Sequence, residues 1–160
     1  MKNENPIWSL VDEKHAAFIG LADRVFDTPE VAYTETRSCA AHTEMLREQG
    51  FAVREAVAGI PTAVIGEAGK GGPVIAILGE YDALPGLNQE PGIAEPRKVD
   101  DNAYGHGCGH NLLGSAALAA ATAVKDWLEA EGCEGRVRYY GCPAEEGGAA
   151  KTYMVREGLF

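Results

Sequence analysis

The chain has 160 residues, of which 46% are hydrophobic and 24% charged, the composition of one globular domain with a packed core and not of a disordered or fibrous chain. Its 14 basic and 24 acidic residues give a net charge of −10, which argues against a nucleic-acid or anionic-membrane partner and favours a metal or a cationic one. No apolar run approaches the roughly 18 residues that span a bilayer, and the opening MKNENPIWSLVDEKHAAF has no signal-peptide core, so a cytoplasmic location is expected. In that compartment Cys39, Cys108, Cys133 and Cys142 should be reduced, three of them as plain small hydrophobes.

Residues 7–26 place Trp8, Val11, His15, Phe18, Leu21, Ala22 and Val25 at three- and four-residue spacings, which predicts an amphipathic helix with His15 as a packing or surface residue. TETRSCAAHTEMLREQG repeats the period and ends on Gly50, a residue suited to a left-handed helix cap. His42 belongs to this helix and is expected to be solvated or locally bonded. FAVREAV and TAVIGEA then read as short strands, and PVIAILGEYD as a buried strand near the middle of a sheet. GEAGKGG lacks the spacing of a phosphate loop and reads as a turn between two strands.

Residues 85–103 hold three of the eight prolines and form a long irregular loop, of the kind that is usually functional or mobile. LLGSAALAAATAVKDWL, apolar on nearly every side in its first half, predicts a helix packed around most of its circumference and stopped at Gly132. RVRYYGCP alternates as a strand, and a final helix follows the acidic turn PAEEGG. This order of elements predicts a layered α/β domain.

The stretch YGHGCGHNLLG, residues 104–114, gathers four glycines, two histidines and a cysteine ahead of that long helix. A dinucleotide fingerprint would need its glycines directly after a strand, whereas polar KVDDNAY precedes them. A thiol nucleophile at Cys108 would gain from the helix terminus, yet nothing in the motif orients His106 or His110 as its base. Metal binding fits best, because thiolate and imidazole are good ligands for borderline divalent ions and Cys108 and His110 can face one cavity. Asp82, at the end of the central strand, and Glu145 and Glu146, in the turn after RVRYYGCP, offer further oxygen donors. Adjacent acids in a turn diverge, so one can hold a metal while the other acts as a general base.

Three segments in order, GEYDALPG (79–86), GHGCGHNLLG (105–114) and GCPAEEGG (141–148), resemble the metal-dependent amidohydrolases of the aminoacylase and carboxypeptidase superfamily. The likeness is to the branch containing indole-acetyl-amino-acid and hippurate hydrolases, and it runs over nearly the whole chain. It implies a three-layer, zinc-peptidase-like α/β catalytic domain with a mixed central sheet. It also implies one or two divalent ions, zinc or manganese, with Cys108, His110 and Glu146 as ligands. Glu145 would be the general base toward water, and Asp82 the acid that orients a ligand histidine and raises its basicity. Glu80 stands where more distant members carry a ligand histidine, and His106 is not a ligand in this pattern. Hydrolysis of the amide bond of N-acyl amino acids is implied, with aminobenzoyl-glutamate the leading substrate.

Members of the family are far longer, with two more ligand histidines downstream and an inserted lid and dimerisation domain. Residues 1–160 would then be the amino-terminal part of the catalytic domain, incomplete by itself and without the lid. Assembly as a homodimer or with a related subunit is expected of the complete protein. The alternative expectation is a truncated, non-catalytic remnant that binds metal weakly or associates with a full-length relative.

Overall fold

Asn5 starts the first helix by accepting the Ile7 N–H at 3.0 Å, and Pro6 occupies a first-turn position where no backbone donor is needed. The structure, a computed structural model, describes residues 5–99, 101 and 103–160. The first four residues of the stretch read as leaderless, and Asp100 and Asn102 of the long loop, lie outside the described residues.

Helix α1 (Pro6–Phe26) is followed by α2 (Thr36–Glu48), whose first amides, those of Arg37 and Ser38, donate to the Glu30 carboxylate at 2.9–3.1 Å. Strands β1 (Ala52–Glu55), β2 (Val64–Lys70) and β3 (Val74–Gly79) come next, with a short 3-10 turn at Val57–Gly59. The two-residue strands β4 (Leu84–Pro85) and β5 (Tyr104–Gly105) close the long loop. Helix α3 (His110–Glu131), strand β6 (Gly135–Gly141) and helix α4 (Ala150–Arg156) complete the chain.

The main sheet has the order β1-β2-β6-β3, with β2 antiparallel to β1 and β6, and β3 parallel to β6. A parallel pair needs a crossover, and α3 supplies it. Side-chain alternation along β2 and β6 divides the core between two faces. Val64, Val137 and Tyr139 pack with Leu21 and Val25 of α1, Leu46 of α2 and Leu118 of α3. Ile65 and Tyr140 pack on the other face with Ile60, Cys142 and Met154 of α4. The result is the expected α/β arrangement of three layers around a mixed sheet.

The expected caps are present: Gly50 and Gly132 have φ of 81° and 63°. Of the GEAGKGG stretch only Gly71 and Gly72 turn toward β3; Gly66–Lys70, expected in the turn, belong to β2 and pair with β6. The long loop is braced across itself, the Val99 amide donating to Asn88 Oδ1 at 2.7 Å and the Glu90 amide to the Arg97 carbonyl at 2.8 Å.

Five further expectations are corrected. β3 is an edge strand among the described residues, and Val74, Ile75 and Leu78 are exposed. An apolar run records that a strand is meant to be covered, not which segment covers it. His42 is fully buried and bonded across 97 residues to Tyr139, because α2 turns it into the core. Leu112 and Leu113 of α3 are exposed while Asn111, Gly114 and Ser115 are buried, since this end of the helix docks by its small and polar face. Trp8 is half exposed, at the end of α1 that extends past the core. Cys133 is exposed, whereas Cys39 and Cys142 are buried; all four thiols are free.

Candidate metal centre

Because β3 and β6 run parallel with Gly79 opposite Gly141, their carboxyl ends release the chain at one place. The Cys142 amide donates to the Gly79 carbonyl at 2.8 Å and ties the two exits together. One exit carries Glu80 and Asp82; the other carries Glu145 and Glu146. The third contribution comes from the start of α3. Gly109, at φ 82°, turns the backbone in a left-handed conformation open to glycine, so that Cys108 precedes the helix and His110 opens it.

His110 is the hub. Its Nδ1 lies 2.9 Å from Asp82 Oδ1, and both side chains are almost completely buried. The second Asp82 oxygen accepts the Glu146 amide at 2.8 Å, so one carboxylate fixes both the histidine and the acidic turn. His110 Nε2 points the other way, 3.1 Å from Glu80 Oε2 and 3.8 Å from Glu145 Oε2. Donor atoms of Cys108, His110 and Glu146 lie within 4.8 Å of one another, and so do those of Glu80, His110 and Glu145. All five residues singled out in the sequence therefore meet at one centre, joined by Glu80.

The electrostatics follow from this packing. Burial pushes the Asp82 carboxyl up, but the hydrogen bonds from His110 and the Glu146 amide outweigh it and hold the group below the ordinary carboxylate range. The Asp82 hydrogen bond, against the opposing effect of burial, raises His110 above the usual histidine value. The Glu146 carboxylate beside Cys108 pushes its thiol up, with slight burial and the charges of Glu146, Glu145 and Glu80 adding to the effect. A raised thiol is the opposite of what a nucleophilic cysteine needs. The donor set does fit a divalent cation: a sulfur, an imidazole nitrogen held in one orientation from behind, and carboxylates facing it. Positive charge at the centre would offset the mutual repulsion of Glu80, Glu145 and Glu146 and favour the thiolate.

The sequence reading missed Lys151, whose ammonium pairs with Glu80 Oε1. Its signal was its place in the first turn of the helix after PAEEGG. His106 stands apart, bonded through Nε2 to the Val25 carbonyl at 3.1 Å, and His15 lies exposed on α1. A cavity of about 600 Å³ lies between the carboxyl end of α1, the long loop and His106–Gly107, and none of the residues of the centre lines it.

Comparison with known proteins decides the family. The profile of peptidase family M20/M25/M40 matches residues 76–160, the segment that holds the whole centre. The chain belongs to this family. It is 51% identical over 150 residues to a subunit of the p-aminobenzoyl-glutamate hydrolase of Escherichia coli (strain K12), covering 94% of this chain and 31% of that protein. It is 32% identical over 162 residues to the Xaa-Arg dipeptidase of Mus musculus, covering 94% of this chain and 34% of that protein. This M20-family chain thus spans about a third of the length of the curated relatives it matches. Among solved structures, the YXEP protein of Bacillus subtilis, described as a dinuclear metal binding peptidase from the M20 family, superposes with a TM-score of 0.77. That match has 23% identity and covers 92% of this chain and 40% of that one, a likeness of fold.

Proposed function

We propose that the chain is the amino-terminal part of the catalytic domain of a metal-dependent amidohydrolase that cleaves N-acyl amino acids, with aminobenzoyl-glutamate or a close analogue as substrate. The observation that carries this reading is His110, held through Nδ1 by buried Asp82 while Nε2 converges with the donors of Glu80 and Glu145. Cys108, His110 and Glu146 would hold one ion, and Glu80 and Glu145 line the adjacent position, so one or two ions of zinc or manganese fit the donors. Such an ion, when bound, polarises the scissile carbonyl and makes water more acidic. Glu145, with 41% of its side chain exposed, can accept a proton from the hydrolytic water and return it to the leaving amine nitrogen. Asp82 keeps the His110 ring in one tautomer and orientation.

The identity to the Escherichia coli protein supports the substrate class and, since that relative is named as a subunit, assembly of the whole protein as a homodimer or with a related subunit. The remaining ligands and the lid and dimerisation domain would lie in the rest of the protein. The four free thiols fit a cytoplasmic location, and no helix among the described residues is long and apolar enough to cross a membrane.

Glu145→Gln in the native protein tests the assignment. General-base catalysis contributes about 10²- to 10⁴-fold, so hydrolysis of aminobenzoyl-glutamate should fall by that range while the ion held by Cys108, His110 and Glu146 is retained. Normal turnover would remove Glu145 from the role. Metal binding by the unaltered protein without hydrolysis of any N-acyl amino acid would replace this reading with the non-catalytic remnant.

A further inference from the structure

Glu35 stands at the start of α2, where an acidic side chain would ordinarily accept the helix's own first amides. It makes no such bond. Glu30 already serves those amides, and the Glu35 carboxylate instead reaches across 109 residues to accept the Ala144 N–H at 2.8 Å. Glu35 is completely buried; of its two oxygens Oε1 accepts the Ala144 N–H and Oε2 has no hydrogen-bond partner among the described residues, so the bond to Ala144 is what holds the group in place.

The amide it holds has a particular position. Ala144 is the residue before Glu145, and its φ of 56° is a left-handed conformation that an L-residue adopts only when its surroundings impose it. The same short segment grips the neighbouring chain at two further points. Tyr33 donates its hydroxyl to the Gly148 carbonyl at 2.6 Å, just past the acidic pair. The Ala83 amide, next to Asp82, donates to the Glu30 carbonyl at 2.8 Å, and Val31 bridges to Ala83. The connection between α1 and α2 therefore touches both strand exits that carry the acidic residues of the centre.

We propose that Glu35 is a positioning residue for the metal centre: its buried carboxylate locks Ala144 in the conformation that presents Glu145 and Glu146 toward His110. The inference rests on the proposed function for its chemistry, and its geometric half can be read separately. Glu35→Gln keeps an oxygen that can accept the Ala144 amide. Glu35→Met keeps the volume and loses the acceptor. Glu35→Asp keeps the charge and draws it back by one methylene.

In the native protein, hydrogen exchange at 142–149 should quicken in Glu35→Met and stay near wild type in Glu35→Gln, with exchange in β6 unchanged. Loss of an orienting partner typically weakens metal binding about 10- to 100-fold, and titration with zinc or manganese should show that loss in Glu35→Met, with little change in Glu35→Gln. A lower kcat at unchanged KM should accompany it. If Glu35→Met does not fold, Glu35→Asp should show the same changes to a smaller degree. An unaltered turn and unaltered metal affinity in Glu35→Met, or in Glu35→Asp where Glu35→Met does not fold, would overturn the proposal. A loosened turn in a protein whose wild type binds no metal would uphold the positioning and overturn the metal reading instead.

Discussion

His42 is enclosed by Tyr81 and Tyr139, with ring centroids at 5.0 and 5.9 Å and the Tyr139 hydroxyl 2.9 Å from its Nδ1. Burial, reinforced by the charge of Arg24, lowers its pKa to about 3 from an ordinary 6.5. The folded protein therefore keeps His42 neutral where the unfolded chain protonates. Its contribution to stability is complete above 6.5 and is lost as pH falls from 6.5 toward 3, at about 1.4 kcal/mol per pH unit. Denaturant unfolding at a series of pH values should show this slope, and His42→Gln, neutral throughout, should flatten it. An unchanged slope in that variant would assign the acid sensitivity elsewhere. Nothing in the sequence distinguishes this histidine from His15, another helical histidine. Their difference lies in which helix face meets the sheet, a matter of tertiary packing. Cys108, His110 and the two adjacent glutamates were legible because their spacing next to glycine-rich turns has few structural uses.

At the scale of the element, α3 does two jobs that its composition describes poorly. Its amino-terminal turn delivers His110, and to do so it docks through Gly114, where a Cβ would lie 2.2 Å from the Glu80 carbonyl oxygen and 3.0 Å from the His42 ring. Alanine is the better helix former by about 1 kcal/mol, but such a contact with backbone forces the helix and the Glu80 segment apart, at a cost of about 1–3 kcal/mol. Gly114→Ala should therefore lower stability in thermal unfolding and weaken metal binding as well. A variant more stable than wild type would show that the helix can shift freely. The existence of this helix and its stop were readable from its apolar run and from Gly132, although the run 112–128 falls short of both ends, His110 and Glu131. Its orientation was not, because a nearly all-apolar surface hides the fact that Asn111, Gly114 and Ser115 face inward while Leu112 and Leu113 face out.

Across the whole molecule, the centre exists because three distant segments converge: the exit of β3, the start of α3 and the exit of β6. The parallel pairing of β3 with β6 brings the two exits together, α3 closes the crossover between them, and the α1–α2 connection braces both. The layered α/β class could be read from the order of elements, and the residues that converge at one place from the motifs at their ends. The position of β3 at the sheet edge among the described residues, and Glu35 reaching across the fold, depend on partners far away in the chain, where local periodicity carries no signal. His110 belongs to both donor groups, so its loss should disable the centre altogether. The most direct measurement is titration of the metal-free native protein with zinc and with manganese, beside the His110→Ala variant. Wild type should bind, and the variant should lose more than the about 10- to 100-fold that removal of an orienting partner costs. Equal affinity in the two proteins, or no binding by wild type, would contradict the account.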